Sequence, residues 1–167
     1  MRIRPYISGL DFEIIRQWIS DERTHAMWCA NLIPYPLERK AFDATLTDMA
    51  VKFGDSPFVA TANDGKVIGF FCYSVNLNTN EGILKFVMVD QDLRGQGYGK
   101  EMLSLAVKYA FEITKADAVQ LNVFSENTGA KKCYLSVGFS ERTNTDRAFS
   151  FNEELWGRCN MIIKRSR

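Results

Sequence analysis

Three glycines alternate with other residues in the segment VDQDLRGQGYGKEML, residues 89 to 103, at Gly95, Gly97 and Gly99. Arg94 precedes them, and the apolar periodicity after them predicts a helix. A glycine-rich turn that opens a helix exposes backbone N–H groups, and the helix dipole adds roughly half a positive charge there. Each glycine costs roughly 0.5–1 kcal/mol relative to alanine in a first helical turn. The pattern therefore indicates a site at which backbone amides hold a phosphate.

Two nucleotide-binding patterns fit this segment poorly. A P-loop requires G-x-x-x-x-G-K-[ST], in which the hydroxyl holds magnesium. Here the stretch from Gly95 to Gly99 is one residue too short, and Glu101 stands at the hydroxyl position. A dinucleotide fingerprint requires G-x-G-x-x-G and an acidic residue at the end of the next strand, where this chain has Lys100 and Asn122 instead. A glycine-rich turn that only caps a helix is the simplest alternative.

A third pattern, R-x-x-G-x-G, matches Arg94, Gly97 and Gly99. A second motif, N-x-x-A-x-x-x-Y-x-x-x-G-F, follows downstream. Its residues here are Asn127, Ala130, Tyr134, Gly138 and Phe139. With an apolar strand before the first motif and a long helix and a strand between the two, residues 82 to 139 resemble the acetyl-CoA-binding core of the GNAT superfamily of N-acetyltransferases. Both motifs at the family's spacing are a stronger signal than the glycines alone.

This resemblance implies the positions that bind acetyl-CoA as cosubstrate. The strand end formed by Val87, Met88 and Val89 would pair through its main chain with the pantetheine arm. The following loop and first helical turn would hold the pyrophosphate without a metal ion. The residues implied there are Arg94, Gly95, Gln96, Gly97, Tyr98, Gly99 and Lys100. Asn127 would bond the cofactor arm, and asparagine is also a favoured helix N-cap, so the two roles are compatible.

The resemblance also implies roles in a reaction in which a neutral amine attacks the acetyl thioester. Oxyanion charge would develop near the amide of Val89 or Met88. Tyr134 stands at the position of the family's general acid, although a tyrosine on a core-facing helical stripe usually serves packing. Many relatives carry a glutamate base on the fourth or fifth strand. Glu81 shares a strand face with Ile83 and is a candidate base, with a solvated strand-end charge or a water-mediated proton route as alternatives.

The acceptor is expected between the early helices and the late segment TDRAFSFNEELWG, residues 145 to 157. Aromatic rings combined with carboxylates would suit a cationic amine, from a small molecule or a protein N-terminus. The aromatic candidates are Trp28, Tyr35, Phe149, Phe151 and Trp156, and the acidic ones are Asp21, Glu22, Glu153 and Glu154. A non-catalytic acyl-CoA-binding sensor is the alternative function, since it would need the glycine loop but not Tyr134.

The periodicity predicts the elements that must position these residues. Ser8 and Asp11 have capping-box spacing at the start of the first helix. The elements are a strand at 3–7, helices at 12–19, 21–30 and 37–51, strands at 57–62 and 66–75 around an NDGK turn, a strand at 82–89, a helix at 98–115, a strand at 118–124, a helix from 127 to 138, and strands near 139–146 and 157–164. This order predicts one mixed α/β domain over residues 1–167. The resemblance implies a central, mostly antiparallel sheet of about six to seven strands flanked by helices.

Composition narrows the class of protein. The 21 lysines and arginines nearly balance the 20 aspartates and glutamates, so no strong field favours nucleic acid. Four cysteines stand singly, without a C-x-x-C pair, which is typical of a reduced cytoplasmic protein. The one histidine disfavours a histidine-dependent triad or a His-rich metal site. No apolar stretch resembles a signal peptide or a membrane span, so we expect a cytoplasmic acyltransferase without metal.

Overall fold

The computed structural model describes residues 1–166. Its elements are β1 (Arg2–Pro5), α1 (Ser8–Arg16), α2 (Glu22–Cys29), α3 (Arg39–Phe53), β2 (Ser56–Thr61), β3 (Val67–Asn76), β4 (Glu81–Val89), a 3₁₀ turn (Gln91–Leu93), α4 (Tyr98–Glu112), β5 (Ala118–Phe124), α5 (Thr128–Val137), β6 (Ser140–Phe151) and β7 (Glu154–Lys164). The predicted order of strands and helices is confirmed. The last two strands are longer than predicted and form a long antiparallel hairpin.

The seven strands form one sheet in the order β1-β2-β3-β4-β5-β7-β6. Every neighbouring pair is antiparallel except β4 and β5, which confirms the predicted mostly antiparallel sheet. The parallel pairing is short, because it runs only from Glu81 opposite Ala118 to Leu84 opposite Leu121. Beyond these residues both strands continue without pairing to each other. The sheet is therefore open between the carboxyl ends of β4 and β5, and this opening is the central feature of the site.

A bulge in β4 explains why the two strands separate. On β3, Phe70 lies opposite Met88 and Cys72 lies opposite Lys85, so one β3 residue faces two residues of β4. Phe86 at the bulge has a φ of +52°. An extra residue bends a strand and increases its twist. The bulge also interrupts the alternation of side chains between the two faces of the sheet. The consecutive residues Lys85 and Phe86 both project to the face that is covered by the early helices.

Helices cover the two faces of the sheet unequally. On one face α4 packs through Met102, Leu103 and Ala106 against the middle strands, and α5 lies beside it. On the other face α1 and α3 bury Phe12 and Phe42 against β2, β3 and the end of β4. The outer strands β5, β7 and β6 carry an exposed polar face on that side. Of the residues described, no helix is long and apolar enough to cross a membrane.

The start of α1 corrects one local prediction. The Asp11 carboxylate reaches back to the Ile7 N–H at 2.7 Å, as in a capping box, and it is also held by Arg4. The N-cap residue is Ile7, however, and the Ser8 hydroxyl donates to Asp43 on α3 instead of capping the helix. Tertiary contact with α3 has thus replaced half of the predicted local motif.

Candidate active site

The opening exposes main-chain groups of β4. The Asp90 N–H donates to the Ile68 carbonyl at 2.9 Å, which makes these two residues a hydrogen-bonded antiparallel pair. Because hydrogen-bonded and non-hydrogen-bonded pairs alternate, the pair that contains Val89 is not hydrogen-bonded and the pair that contains Met88 is. The main-chain N–H and C=O of Val89 therefore point away from β3 into the opening, and those of Met88 point toward β3. Val87 shares the orientation of Val89 by the period of two.

These exposed groups form a short unpaired strand edge inside the molecule. An extended ligand arm that carries amide groups can pair with such an edge as an added strand does. The side chains of Val87 and Val89 pack against the apolar core beneath α4, so only their main-chain groups face the opening. Sequence analysis assigned Met88 the same role as Val87 and Val89. The register with β3 shows that the main-chain groups of Met88 point in the opposite direction.

The glycine loop forms a cradle next to this edge. Gly95 and Gly97 have φ values of +75° and +88°, and a Cβ built on either residue meets no atom within 4 Å. Gly97 is the N-cap of α4, and no side chain caps that helix. The first amides of α4 therefore point into open space with the positive end of the helix dipole behind them, which suits a phosphate. This geometry fits the pyrophosphate of the implied cosubstrate.

Gly99 is required for a different reason. A Cβ at this position would lie 3.2 Å from the Cys133 sulfur on α5 and 3.8 Å from the Val89 side chain. The residue therefore allows α4 to approach both α5 and the end of β4. Of the three glycines, two shape the cradle through positive φ and the third allows close helix packing.

The charged side chains of the loop are unengaged within the molecule. The side chains of Arg94 and Lys100 make no hydrogen bond or ion pair within residues 1–166, whereas the Gln96 side-chain amide donates to the Asp92 carbonyl at 3.2 Å. Tyr98 begins α4 and is half-buried. The structure thus brings the whole predicted loop, from Arg94 to Lys100, to the carboxyl end of β4.

Tyr134 lies on α5 in the apolar cluster that also contains Val87, Val89 and Val123, the residues flanking the opening. Its ring is 6% exposed and packs edge-to-face on Phe139. No described residue bonds its hydroxyl, yet among the described residues no side-chain oxygen or nitrogen is both sealed from solvent and without a hydrogen-bond partner. The hydroxyl therefore reaches accessible space. Burial, and then the neighbouring Cys133, raise the pKa of Tyr134 above its usual value, so the phenol stays protonated and can donate a hydrogen bond.

Asn127 has the predicted N-cap role at the start of α5. Its side-chain oxygen accepts the Ala130 N–H at 3.3 Å, which is confirmed capping geometry. Its side-chain NH₂ has no partner among the described residues. A donor is therefore left over at the carboxyl end of β5, beside the opening.

The structure places Glu81, the candidate general base, at the far end of β4 from the opening. It is the first residue of β4 and lies opposite Ala118, at the closed end of the parallel pair. Its carboxylate accepts from Gln120 and forms an ion pair with Arg142 at 2.9 Å. With a rise of about 3.3 Å per residue, the eight steps along β4 separate Glu81 from Val89 by more than about 20 Å. Glu81 therefore lies at the paired end of the two strands, and Val89 lies at the end where they splay apart.

Helix α2 spans the opening on the face opposite α4 and α5. At one end of this bridge the Trp28 indole N–H donates to the Phe86 carbonyl of β4 at 2.8 Å. At the other end Arg23 makes two hydrogen bonds with Glu154 on β7, at 3.1 and 3.0 Å. An acceptor approaching from this face must therefore pass beneath or beside α2.

Some of the residues predicted to bind the acceptor are buried in the core, and others lie at the rim of the opening between β4 and β5. Trp156 is fully buried and stacks on Phe149 and Phe151, with centroids 5.5 and 5.1 Å apart, so it supports the rim from below. Phe149 is half-buried, and Phe124 of β5 lies 5.0 Å from it, a contact that the sequence analysis missed. The position of Phe124 at the end of β5, where the strand reaches the opening, could have identified it.

The carboxylates near α2 are partly engaged. Asp21 caps α2 through the Thr24 N–H at 2.7 Å, and Glu154 is paired with Arg23. The pKa of Arg23 is raised, first by its hydrogen bond to Glu154 and further by the charges of Glu154, Asp21 and Glu126. Sequence analysis did not identify Glu126, whose carboxylate accepts the Gly157 N–H of β7 at 3.2 Å.

Comparison with known proteins was made at the level of sequence and of fold. Residues 12–139 match the model of the Acetyltransferase (GNAT) family. The chain is 28% identical over 78 residues to a 5-NmdU N-acetyltransferase of Pseudomonas phage PaMx11, with 47% of this chain and 53% of that protein covered. It is 28% identical over 83 residues to the spermine/spermidine N(1)-acetyltransferase of Bacillus subtilis, with 46% and 54% covered. The chain thus spans about half the length of these curated relatives.

The fold is similar to that of solved acetyltransferases. The spermidine N-acetyltransferase from Vibrio cholerae, in complex with CoA and spermine, superimposes with a TM-score of 0.82 at 18% identity. The match covers 98% of this chain and 94% of that one. At this identity the comparison shows a shared fold.

Proposed function

Since this chain belongs to the GNAT acetyltransferase family, we propose that it transfers the acetyl group of acetyl-CoA to the primary amine of a small molecule. The observation that carries the proposal is the opening between β4 and β5. Main-chain groups of Val89 face this opening, the glycine cradle follows directly in the chain, and Tyr134 belongs to the apolar cluster that contains the Val87 and Val89 side chains. The four cysteines are free thiols, which supports a reducing, cytoplasmic location.

Acetyl-CoA would bind mainly through the main chain. Its pantetheine arm would pair with Val87 and Val89, and its pyrophosphate would accept hydrogen bonds from the amides between Gly95 and Lys100. The free NH₂ of Asn127 would donate to the same arm. Arg94 and Lys100 would add positive charge around the phosphates. No part of this arrangement requires a metal ion.

The reaction would be direct attack of a neutral amine on the thioester. The amine nitrogen forms a bond to the acetyl carbon, the carbon–sulfur bond breaks, and the negative charge on the acetyl oxygen is stabilised by the Val89 N–H. We favour Val89 over Met88 because only the Val89 amide faces the opening. Burial of Tyr134 makes full proton transfer to the leaving thiolate uphill by at least about 2 kcal/mol, the difference between ordinary tyrosine and thiol pKa values. Tyr134 would therefore act chiefly as a hydrogen-bond donor to the sulfur as the bond breaks.

The proton of the amine would leave through water. The only carboxylate on β4 and β5 is that of Glu81, which lies at the closed end of the pair. The position in the opening where a base would lie carries Asn122, whose oxygen accepts from Asn160. The acceptor would thus enter the reaction as the small fraction of its molecules that is already deprotonated.

The rim supports a cationic acceptor. The carboxylates of Asp21, Glu126 and Glu154 all raise the pKa of Arg23, and the rings of Phe124 and Phe149 are half-buried and 5.0 Å apart. Carboxylates and aromatic faces together attract ammonium groups. Polyamines such as spermidine, on which the Bacillus subtilis relative acts by name, fit this chemistry. A small cationic amine is therefore the acceptor class we propose.

Acetyl-CoA should stabilise the protein without magnesium. At a ligand concentration of 100 times Kd the free energy of unfolding rises by about 2.7 kcal/mol, which raises Tm by roughly 5–10 °C for a chain of this size. Thermal melts with acetyl-CoA, ATP and EDTA measure this directly. Thiol release across a panel of polyamines and neutral amines then identifies the acceptor. Stabilisation by ATP but not by CoA, or a need for divalent metal, would contradict the proposal, and CoA binding without acetylation of any amine would favour the sensor.

The pH profile should report the acceptor and not a protein base. With an acceptor pKa near about 10, kcat/KM should rise about tenfold per pH unit between about pH 6 and 9. Because burial raises the pKa of Tyr134, this residue keeps its proton throughout that range and causes no decline at high pH. Initial rates at low acceptor concentration across this range test the expectation. A plateau beginning near pH 7 would show that a protein group accepts the proton.

A further inference from the structure

One side chain outside the acetyl-CoA site contacts the bulge of β4. The indole N–H of Trp28 on α2 donates to the carbonyl oxygen of Phe86 at 2.8 Å. The Trp28 ring also packs edge-on against the Phe86 ring, with centroids 6.0 Å apart. Trp28 therefore holds both the main chain and the side chain of a single residue.

That residue is under backbone strain. Phe86 has a φ of +52°, a conformation that is unfavourable for a bulky L-residue and persists only when its surroundings enforce it. Its carbonyl also lies where β4 no longer pairs with β5, so the neighbouring strand provides no donor. The N–H of Trp28 supplies the missing partner.

The consequence reaches the open strand edge. The bulge at Phe86 decides which main-chain groups of the next residues face β3 and which face the opening. If the bulge relaxed by one residue, the groups of Val87 and Val89 would turn toward β3, and every following side chain would change face. The direction of the groups that would bind the pantetheine arm and the oxyanion thus depends on this conformation.

We propose that Trp28 is a positioning residue for acetyl transfer, which holds the Phe86 bulge so that Val87 and Val89 present their main-chain groups to acetyl-CoA. The inference rests on the proposed function for its catalytic part. Helix α2 would then have two roles. It bridges the face from which the acceptor would approach, through Arg23 and Glu154, and its Trp28 also holds β4, the strand that would bind acetyl-CoA. Displacement of α2 by an acceptor would be transmitted directly to the strand that holds the thioester.

The test replaces Trp28 with phenylalanine, which keeps an aromatic ring but removes the N–H. The matched control is Trp18→Phe, since Trp18 is 3% exposed in the same apolar cluster and its indole makes no hydrogen bond within residues 1–166. We expect Trp28→Phe to raise KM for acetyl-CoA and to lower kcat, each by about three- to tenfold, the usual worth of one hydrogen bond. Trp18→Phe should lower Tm and leave both constants within about twofold.

Hydrogen exchange of the ligand-free protein gives a readout that does not depend on catalysis. Amides of the segment 86–90 should exchange about three- to tenfold faster in Trp28→Phe than in the wild type, and no faster in Trp18→Phe. Should Trp28→Phe fail to fold, 3-benzothienylalanine at position 28 preserves the size of the ring system and replaces only the N–H by sulfur. Unchanged exchange and unchanged acetyl-CoA affinity in either folded variant would overturn the inference, as would equal effects from Trp18→Phe. Wild-type protein that fails to bind CoA would instead refute the proposed function, while the exchange comparison would still decide the role of Trp28 in the bulge.

Discussion

Replacement of Tyr134 by phenylalanine should lower kcat by roughly 10²–10⁴, the usual effect of removing a general acid. The phenyl ring keeps the edge-to-face contact with Phe139 and the packing of α5 on the sheet. The hydroxyl bonds no described residue, so its removal breaks no internal hydrogen bond and Tm should change little. Because water can partly replace the donor, we expect the lower end of this range. CoA affinity should stay near that of the wild type, since the proposed contacts to CoA lie elsewhere.

Tyr73→Phe is the control for this experiment. Tyr73 is also buried, at 4% exposure, but its hydroxyl is paired with Thr114 at 2.7 Å, at the closed end of the sheet opposite Leu84. Its loss should reduce stability by about 0.5–1.5 kcal/mol and leave kcat unchanged. We therefore expect Tyr134→Phe to lower kcat without changing stability, and Tyr73→Phe to lower stability without changing kcat. A folded Tyr134→Phe protein with undiminished kcat would remove Tyr134 from the mechanism.

Gly97→Ala should weaken CoA binding by at least about tenfold. A Cβ at this position points into the open cradle where the pyrophosphate would lie, and at φ +88° it also strains the loop that presents the amides. Loss of a single charge-assisted hydrogen bond, worth about 1.5–3 kcal/mol, accounts for a factor of ten or more. Isothermal titration with CoA measures the change.

Gly65→Ala separates this effect from backbone strain. Gly65 lies in the turn between β2 and β3, has a φ of +90° and likewise meets no atom within 4 Å of a built Cβ. Both variants should therefore lose a similar amount of stability, about 1–2 kcal/mol. Only Gly97→Ala should lose CoA affinity. Equal affinity in the two variants would show that the phosphates bind away from the loop.

Much of the candidate site can be predicted from the sequence because it consists of local motifs. The glycine loop, the helix it begins and the Asn127 cap of α5 each depend on residues within one or two turns of each other. Local conformational preferences act within such a distance, so spacing alone can express them. The same holds for the order of strands and helices, which depends on the periodicity of each segment.

Which of several similar residues faces the opening depends on the tertiary structure and could not be predicted from the sequence. Spacing treats Val87, Met88 and Val89 alike, and only the register with β3 shows which amides face the opening. Glu81 has the residue type, strand and face expected of a base, but the point where β4 leaves β5 places it at the closed end of the pair. That point is determined by the bulge at Phe86, and the bulge is held by Trp28, 58 residues earlier in the chain. A contact over such a separation leaves no periodic signal, because it arises only when α2 packs across a sheet that has already formed.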